Sequence, residues 1–304
     1  MRHLISLSDI GRDGLLRLLD SADRFKQARN VPNRSQPLLG KSVALVFEKA
    51  STRTRLSLEV AVVELGGHPV VITSAGSQIA RGEPIADTAR VLSRMVHAIA
   101  FRTSGTDRLV DMVKHSSVPV LNALTDHSHP MQLLADLQTV RERYGRLDDL
   151  KFAWVGDGNN MATSWLEAAG ILGFTLILAC PAGYDPPADE IARARLSGAE
   201  IHLVRDPREA VRDAQVISTD VFASMGQEAE RNDRLDAFRG FIVNQELLTH
   251  AHTNHTVLHC LPAHRGEEIE AEVLDGPNSA VWDQAEARLH TAKAALTWAM
   301  GVDA

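Results

Sequence analysis

Two successive series of apolar runs, each spaced by amphipathic segments, constrain this 304-residue chain more than any other feature. Short apolar runs of strand length alternate with stretches at helical spacing, the pattern of parallel sheets covered by helices on both faces. The first series reads as strands at Lys41–Phe47, Pro69–Thr73, His97–Arg102 and Pro119–Ala123. Helices at Thr52–Leu65, Asp87–Met95 and Leu109–His115 separate them, and a short helix around Leu15–Leu19 precedes them. In Thr52–Leu65, Leu56, Val60 and Val63 mark one face and Leu58, Val62 and Leu65 the next, with Gly66-Gly67 as the stop. Ser74–Pro84 reads as a polar loop. The second series has strands at Phe152–Val155, Phe174–Cys180, Glu200–Val204, Val216–Thr219 and His255–His259. Its helices are Ala162–Leu172, Ala188–Ser197 and Pro207–Asp213. A long helix at Pro130–Tyr144 lies between the series, and an amphipathic helix at Ala285–Met300 closes the chain. The expected fold is α/β, with two doubly wound parallel-sheet domains joined by the long helix.

Composition narrows the function classes. Hydrophobic residues make up 44% and charged residues 23%, a globular balance. Lys and Arg number 32 against 39 Asp and Glu, a net charge of −7, which argues against a nucleic-acid partner but allows a local cationic pocket. The two cysteines, Cys180 and Cys260, make no disulfide framework and fit a reducing compartment. The longest apolar runs fall far below the roughly 20 residues of a spanning helix, and the first residues lack the apolar core of a secretory signal. The expected location is the cytoplasm, with no membrane partner.

In doubly wound sheets, ligands bind beyond the carboxyl ends of strands. Five segments with chemistry fall there. Ser51-Thr52-Arg53-Thr54-Arg55 follows the first buried strand and opens a helix. Any one hydroxyl here reads as a helix cap. The packed set, with free backbone N–H groups and the planar Arg53 fork, reads as a phosphate cradle. It is not a Walker loop. His129-Pro130-Met131-Gln132 opens the long helix with His129 and Gln132 on one face, suited to a carbonyl oxygen and an amide NH2. Arg102 ends a strand in the same half. Gly156-Asp157-Gly158-Asn159-Asn160 resembles a dinucleotide loop but lacks the third glycine and the acidic residue closing the next strand. Asn160 could hold a carboxylate instead. Asp220, followed by Val221-Phe222-Ala223-Ser224-Met225-Gly226, could hold an ammonium group. His259-Cys260-Leu261-Pro262-Ala263-His264-Arg265-Gly266-Glu267-Glu268 suggests a metal site or a nucleophilic cysteine. No zinc-type Cys spacing and no H-E-x-x-H accompany it, so no metal is expected.

Taken in order, these five segments resemble the aspartate/ornithine carbamoyltransferase family, and the last two its ornithine branch in particular. The likeness spans nearly the whole chain. The resemblance implies a carbamoyl-phosphate domain at 1–140 completed by 289–304, where the C-terminal helix packs back, and an ornithine domain at 141–288. It implies that Ser51, Thr52, Arg53 and Thr54 bind phosphate and that Arg102, His129 and Gln132 hold the carbamoyl group. Gln78 would reach the carbamoyl phosphate of a neighbouring subunit, and Arg288 would close over the phosphate. Asn160 would take the ornithine α-carboxylate, and Asp220, Ser224 and Met225 the α-amino end. Cys260 and Leu261 would lie near the reacting amine. Thr54, Arg102, His129 and Cys260 would be the catalytic set.

The resemblance further implies a homotrimer with active sites at subunit interfaces, no cofactor, and a role in arginine biosynthesis. Alternatives are N-acetylornithine, putrescine or aspartate as acceptor, a catabolic ornithine enzyme, a non-catalytic binding protein, or a zinc hydrolase. The chain departs from the family pattern at Ala287, where Asn is frequent, at Leu58, where Phe is frequent, and at His127-Ser128.

Overall fold

Every strand pairing in the described residues is parallel, as the apolar runs without tight hairpin turns require. The computed structural model describes residues 2–32, 34–223 and 230–302. The chain divides into two compact units, Met1–Gln138 with Ala285–Ala304, and Thr139–Gln284.

The first unit has strands β1 (Ser42–Phe47), β2 (His68–Thr73), β3 (Ala98–Arg102) and β4 (Val120–Leu124) in the order β2-β1-β3-β4. Its helices are α1 (Gly11–Gln27), α2 (Arg53–Glu64), α3 (Ile85–Leu92) and α4 (Thr106–His115), followed by α5 (Pro130–Tyr144), in which the chain leaves the unit. β1 and β3 are buried along almost their whole length, which explains their unbroken apolar sequence. β2 carries Pro69 and is only partly buried, as an edge strand tolerates. Of the two apolar faces expected on α2, only one is used. Leu58, Ala61 and Val62 are buried, whereas Leu56 and Val63 are exposed, because a helix on a sheet covers one stripe. The expected loop at 74–84 contains two short 3-10 turns, Ser74–Gly76 and Gln78–Arg81, the second ended by Gly82 at φ +90°.

The second unit has β5 (Lys151–Val155), β6 (Thr175–Ala179), β7 (Ile201–Val204), β8 (Val216–Thr219) and β9 (Thr256–His259) in the order β7-β6-β5-β8-β9. Helices α6 (Asn160–Leu172), α7 (Ala188–Leu196) and α8 (Pro207–Val211) match sequence expectations within a few residues. Three more, α9 (Arg231–Ala237), α10 (Gln245–Leu248) and α11 (Ala271–Leu274), were not legible, since four to seven residues cannot display a helical period. Phe152 stacks on Phe174 at 4.1 Å beside Trp165. Ala153, Val155, Ile217 and Val257 pack with Phe222, Phe238 and Phe241.

The C-terminal helix runs from Val281 to Met300, four residues longer at its start than expected, after the Asn278-Ser279 turn. Within the first unit its Lys293 is buried and donates to Glu64 of α2, which also accepts from Arg29 Nε at 3.4 Å. Burial pushes the Glu64 carboxyl up, but Lys293, Arg29 and Arg34 outweigh it and hold it below the ordinary glutamate value. A depressed carboxylate stabilises the fold above its unfolded pKa, and that stabilisation disappears as pH falls through the folded pKa. Lys293→Met is therefore expected to cost about 1–3 kcal/mol at neutral pH, since Arg29 still faces Glu64. The difference from the parent should shrink as the pH falls through the folded Glu64 pKa, below the ordinary glutamate value, as read by urea unfolding at neutral and acid pH.

Candidate active site

In each sheet the strand order reverses at one pair of strands, β1/β3 in the first unit and β5/β8 in the second. Chains leaving two such strands turn to opposite faces of the sheet and open a crevice at their carboxyl ends. Ser51 to Thr54 and Arg102 lie beside the first of these places, and Asn160 and Asp220 beside the second.

In the first unit, Phe47 of β1 stands in register with Arg102 of β3, and Arg102 with Leu124 of β4. Ser51 and Thr52 follow β1, and Arg53 and Thr54 form the first turn of α2. His129 and Gln132 sit where α5 begins. Thr54, Arg102, His129, Gln132 and Arg288 are all buried. Arg288, on the C-terminal helix, joins the set. It donates from Nη2 to Thr54 Oγ1 at 2.8 Å, from Nη1 to Gln132 Oε1, and lies 3.4 Å from His129 Nε2. Gln132 Nε2 donates to Asp136 Oδ1 at 2.8 Å, one turn further along α5, which fixes which end of the amide faces Arg288. Burial and the charges of Arg288, Arg102 and Arg53 hold the His129 imidazole well below its ordinary pKa, hence neutral.

Two supporting pairs escaped sequence reasoning. Glu48 accepts from Thr103 Oγ1 and from the Arg108 guanidinium, tying the start of the Ser51–Arg55 loop to the residue after Arg102. Lys49 Nζ lies 3.0 Å from Asp126 Oδ1, in the loop ahead of His129. Gln78 is exposed, in its 3-10 turn.

The second unit is built around a carboxylate. Asp220 follows β8 and is buried. Asn159 Nδ2 donates to its Oδ2 at 2.9 Å, and the Cys260 thiol donates to its Oδ1 at 3.0 Å. Asn159 is also the cap of α6, accepting from Met161 N at 2.9 Å. Asn160, the expected carboxylate ligand, is the first residue of that helix. The second glycine of the Gly156–Asn160 loop has a packing reason. A Cβ on Gly158 would lie 2.1 Å from Pro186 N, so the glycine serves chain approach, not a dinucleotide.

Buried Arg234 donates to Asp157 and to Phe222 O, and its guanidinium lies over the Tyr184 ring at 4.8 Å. Burial pushes the Asp157 carboxyl up to about 6, with Arg234 pulling it down and Asp220 adding to the rise. Ser224 and Met225 lie outside the described residues.

After β9, Leu261 adopts φ +58° before a cis peptide bond to Pro262, and its N–H donates to His259 Nδ1 at 2.8 Å. That bond places the imidazole proton on Nε2, which faces Glu268 Oε1 at 3.1 Å. Both side chains are fully buried. Asp220, His259 and Cys260 bring ligating atoms within 4.8 Å of one another, a spacing that a cation could use. Cys180 is buried, and its thiol is pushed far up by burial, which leaves it inert.

Comparison with known proteins agrees with this geometry. Residues 2–142 match the model described as aspartate/ornithine carbamoyltransferase, carbamoyl-P binding domain, and residues 148–299 the model for the Asp/Orn binding domain. A Geobacter metallireducens protein named ornithine carbamoyltransferase is 52% identical over 298 residues, 97% of this chain and 98% of that one. An Acidothermus cellulolyticus protein of the same name is 53% identical over 98% of this chain and 96% of its own. The solved structure of ornithine carbamoyltransferase from Pyrococcus furiosus superposes with a TM-score of 0.94 at 47% identity, covering 99% of this chain and 97% of that one. The chain belongs to the aspartate/ornithine carbamoyltransferase family.

The neutral state of His129 is directly measurable. With nitrogen-15-labelled histidine, its ring resonances are expected to show no titration through the ordinary histidine range. A His129 midpoint near the ordinary value would contradict its burial among three guanidinium groups.

Proposed function

We propose that this chain transfers the carbamoyl group of carbamoyl phosphate to the δ-amine of L-ornithine, giving L-citrulline and phosphate. The observation that carries the reading is the convergence of Thr54, Gln132 and His129 on the Arg288 guanidinium, with the Arg102 and Arg53 charges acting on the same imidazole. A small dianion bearing a carbonyl suits such a set. The ornithine acceptor is supported by the names of relatives about half identical over the full length.

In this reading Ser51, Thr52, Arg53 and Thr54 hold the phosphate, and Arg288 closes over it. Arg102, His129 and Gln132 hold the carbamoyl group. Asn160 takes the α-carboxylate of ornithine. Asp220, which accepts hydrogen bonds from Asn159 and Cys260, takes the α-ammonium group together with Ser224 and Met225. Cys260 and Leu261 flank the reacting amine. The neutral δ-amine donates its lone pair to the carbamoyl carbon and forms the new C–N bond. The bond from carbon to the phosphate oxygen breaks, and the phosphate leaves with that electron pair and takes up the proton the amine loses. Thr54, Arg102 and His129 stabilise the carbonyl oxygen as it gains charge, and holding both reactants supplies most of the remaining advantage. The residues at 1–140 with 289–304 would form the carbamoyl-phosphate domain and those at 141–288 the ornithine domain.

The reading includes a homotrimer in which Gln78 serves a neighbouring subunit. Its support is the exposed position of Gln78 and the apolar side chains Leu56, Val63, Val91 and Met95 left exposed on the first unit. A cytoplasmic place in arginine biosynthesis completes the proposal. No helix among the described residues is long and apolar enough to cross a membrane.

The deciding experiment is citrulline formation by purified protein with carbamoyl phosphate, comparing ornithine with N-acetylornithine, putrescine and aspartate. Ornithine is expected to dominate, with activity rising with pH as the amine loses its proton. Preference for another acceptor would overturn the roles given to Asp220 and Asn160. Arg53→Ala is expected to lower kcat/KM by about 10²-fold or more, through both carbamoyl-phosphate binding and the chemical step. Unchanged kinetics would remove the phosphate clamp.

A further inference from the structure

The segment after the Leu261-Pro262 bond carries donor atoms that the transfer reaction leaves unused. Residues 264–269 form a tight turn. Glu267 N donates to His264 O at 2.9 Å, and Gly266 N to Ile269 O at 2.8 Å, with Gly266 at φ +89°, where a side chain would be strained. Arg265 pins the turn through a two-fold contact with Asp275 at 2.9 and 3.1 Å. The turn gathers His264 Nδ1, Glu267 and Glu268, whose ligating atoms all lie within 4.8 Å of one another.

Glu268 is the telling member. It is fully buried, and its Oε1 faces His259 Nε2 and accepts from His264 N. Its Oε2 has no hydrogen-bond partner among the described residues, although it is buried. A buried carboxylate oxygen left in that state is costly, and a cation beside it relieves the cost. Its neighbours are other metal-type donors. His264 Nδ1 lies 3.8 Å from Glu268 Oε2 and 4.0 Å from Glu267 Oε2. Bonds of about 2.0–2.1 Å to a tetrahedral ion set ligand atoms about 3.4 Å apart, so each of the two histidine–carboxylate pairs needs to close by about half an ångström on an ion. Glu267 is aimed by an ion pair between its Oε1 and Arg231, which leaves Oε2 for the ion.

We propose that His264, Glu267 and Glu268 form a binding site for one divalent transition-metal ion of the zinc class. One imidazole nitrogen and two carboxylates, with remaining positions for water, suit such an ion better than magnesium, which prefers six oxygens. The half-exposed His264 side chain leaves an entry from solvent. The ion would stiffen the turn and, through Glu268 and His259, the segment that carries Cys260 and Leu261. The site is distinct from the Asp220–His259–Cys260 cluster, which contains a thiol.

The test uses full-length protein without a purification tag, stripped with chelator and titrated with Zn2+ by calorimetry, with thermal unfolding alongside. One ion per chain is expected in the parent and in Cys260→Ser, with a raised Tm in both. His264→Ala is expected to weaken binding at least about tenfold and abolish the shift in Tm, and Glu267→Gln to weaken it in the same direction. The Co2+ form should show d–d bands without a thiolate charge-transfer band. Loss of binding in Cys260→Ser, undiminished binding in His264→Ala, a thiolate band, or no binding in the parent would each overturn the proposal.

Discussion

The Arg288 guanidinium is the interaction on which the first unit's chemistry depends. It is buried, and its hydrogen bonds to Thr54 and Gln132, together with its closeness to His129, join residues more than 150 positions apart in the chain. A bound dianion suits a buried guanidinium held among such groups. The same positive field, with Arg102 and Arg53, keeps His129 neutral. Lys293, about one and a half turns further along the same helix, secures the helix on α2 through Glu64. The fold therefore uses the Lys293–Glu64 ion pair for attachment, while Arg288 contacts Thr54, Gln132 and His129.

The second unit solves the opposite problem. Its centre is the Asp220 carboxylate, satisfied on one oxygen by Asn159 and on the other by Cys260. Both donors come from loops at strand ends, so the sheet order β7-β6-β5-β8-β9 is what assembles them. In the proposed reading the first unit takes carbamoyl phosphate, an acyl phosphate, and the second the amino acid that accepts its carbamoyl group.

Much of this was legible in the sequence because the parallel sheet imposes it. An unbroken apolar run such as Ser42–Phe47 can only be a strand buried on both faces, and the polar residues after it must then lie at the ligand-binding edge. The family resemblance added the specific roles, including that of Arg288, which no local pattern would have placed beside Thr54. Other features were out of reach for physical reasons. Asn159, not only Asn160, matters, because one side chain both caps α6 and holds Asp220. His259 and Glu268 meet through a turn whose shape depends on the left-handed conformations of Leu261 and Gly266. The solvent-facing stripe of Leu56 and Val63 has the same period as the buried one, so sequence spacing could not tell them apart.

The central claim is that the Arg288-centred cluster is a carbamoyl-phosphate site. Calorimetric titration of carbamoyl phosphate into the parent and into a folded Arg288→Gln variant tests it most directly. The account predicts saturable binding in the parent, weakened about tenfold or more in the variant, a loss of at least about 1.4 kcal/mol. Equal affinity in the two proteins would contradict it.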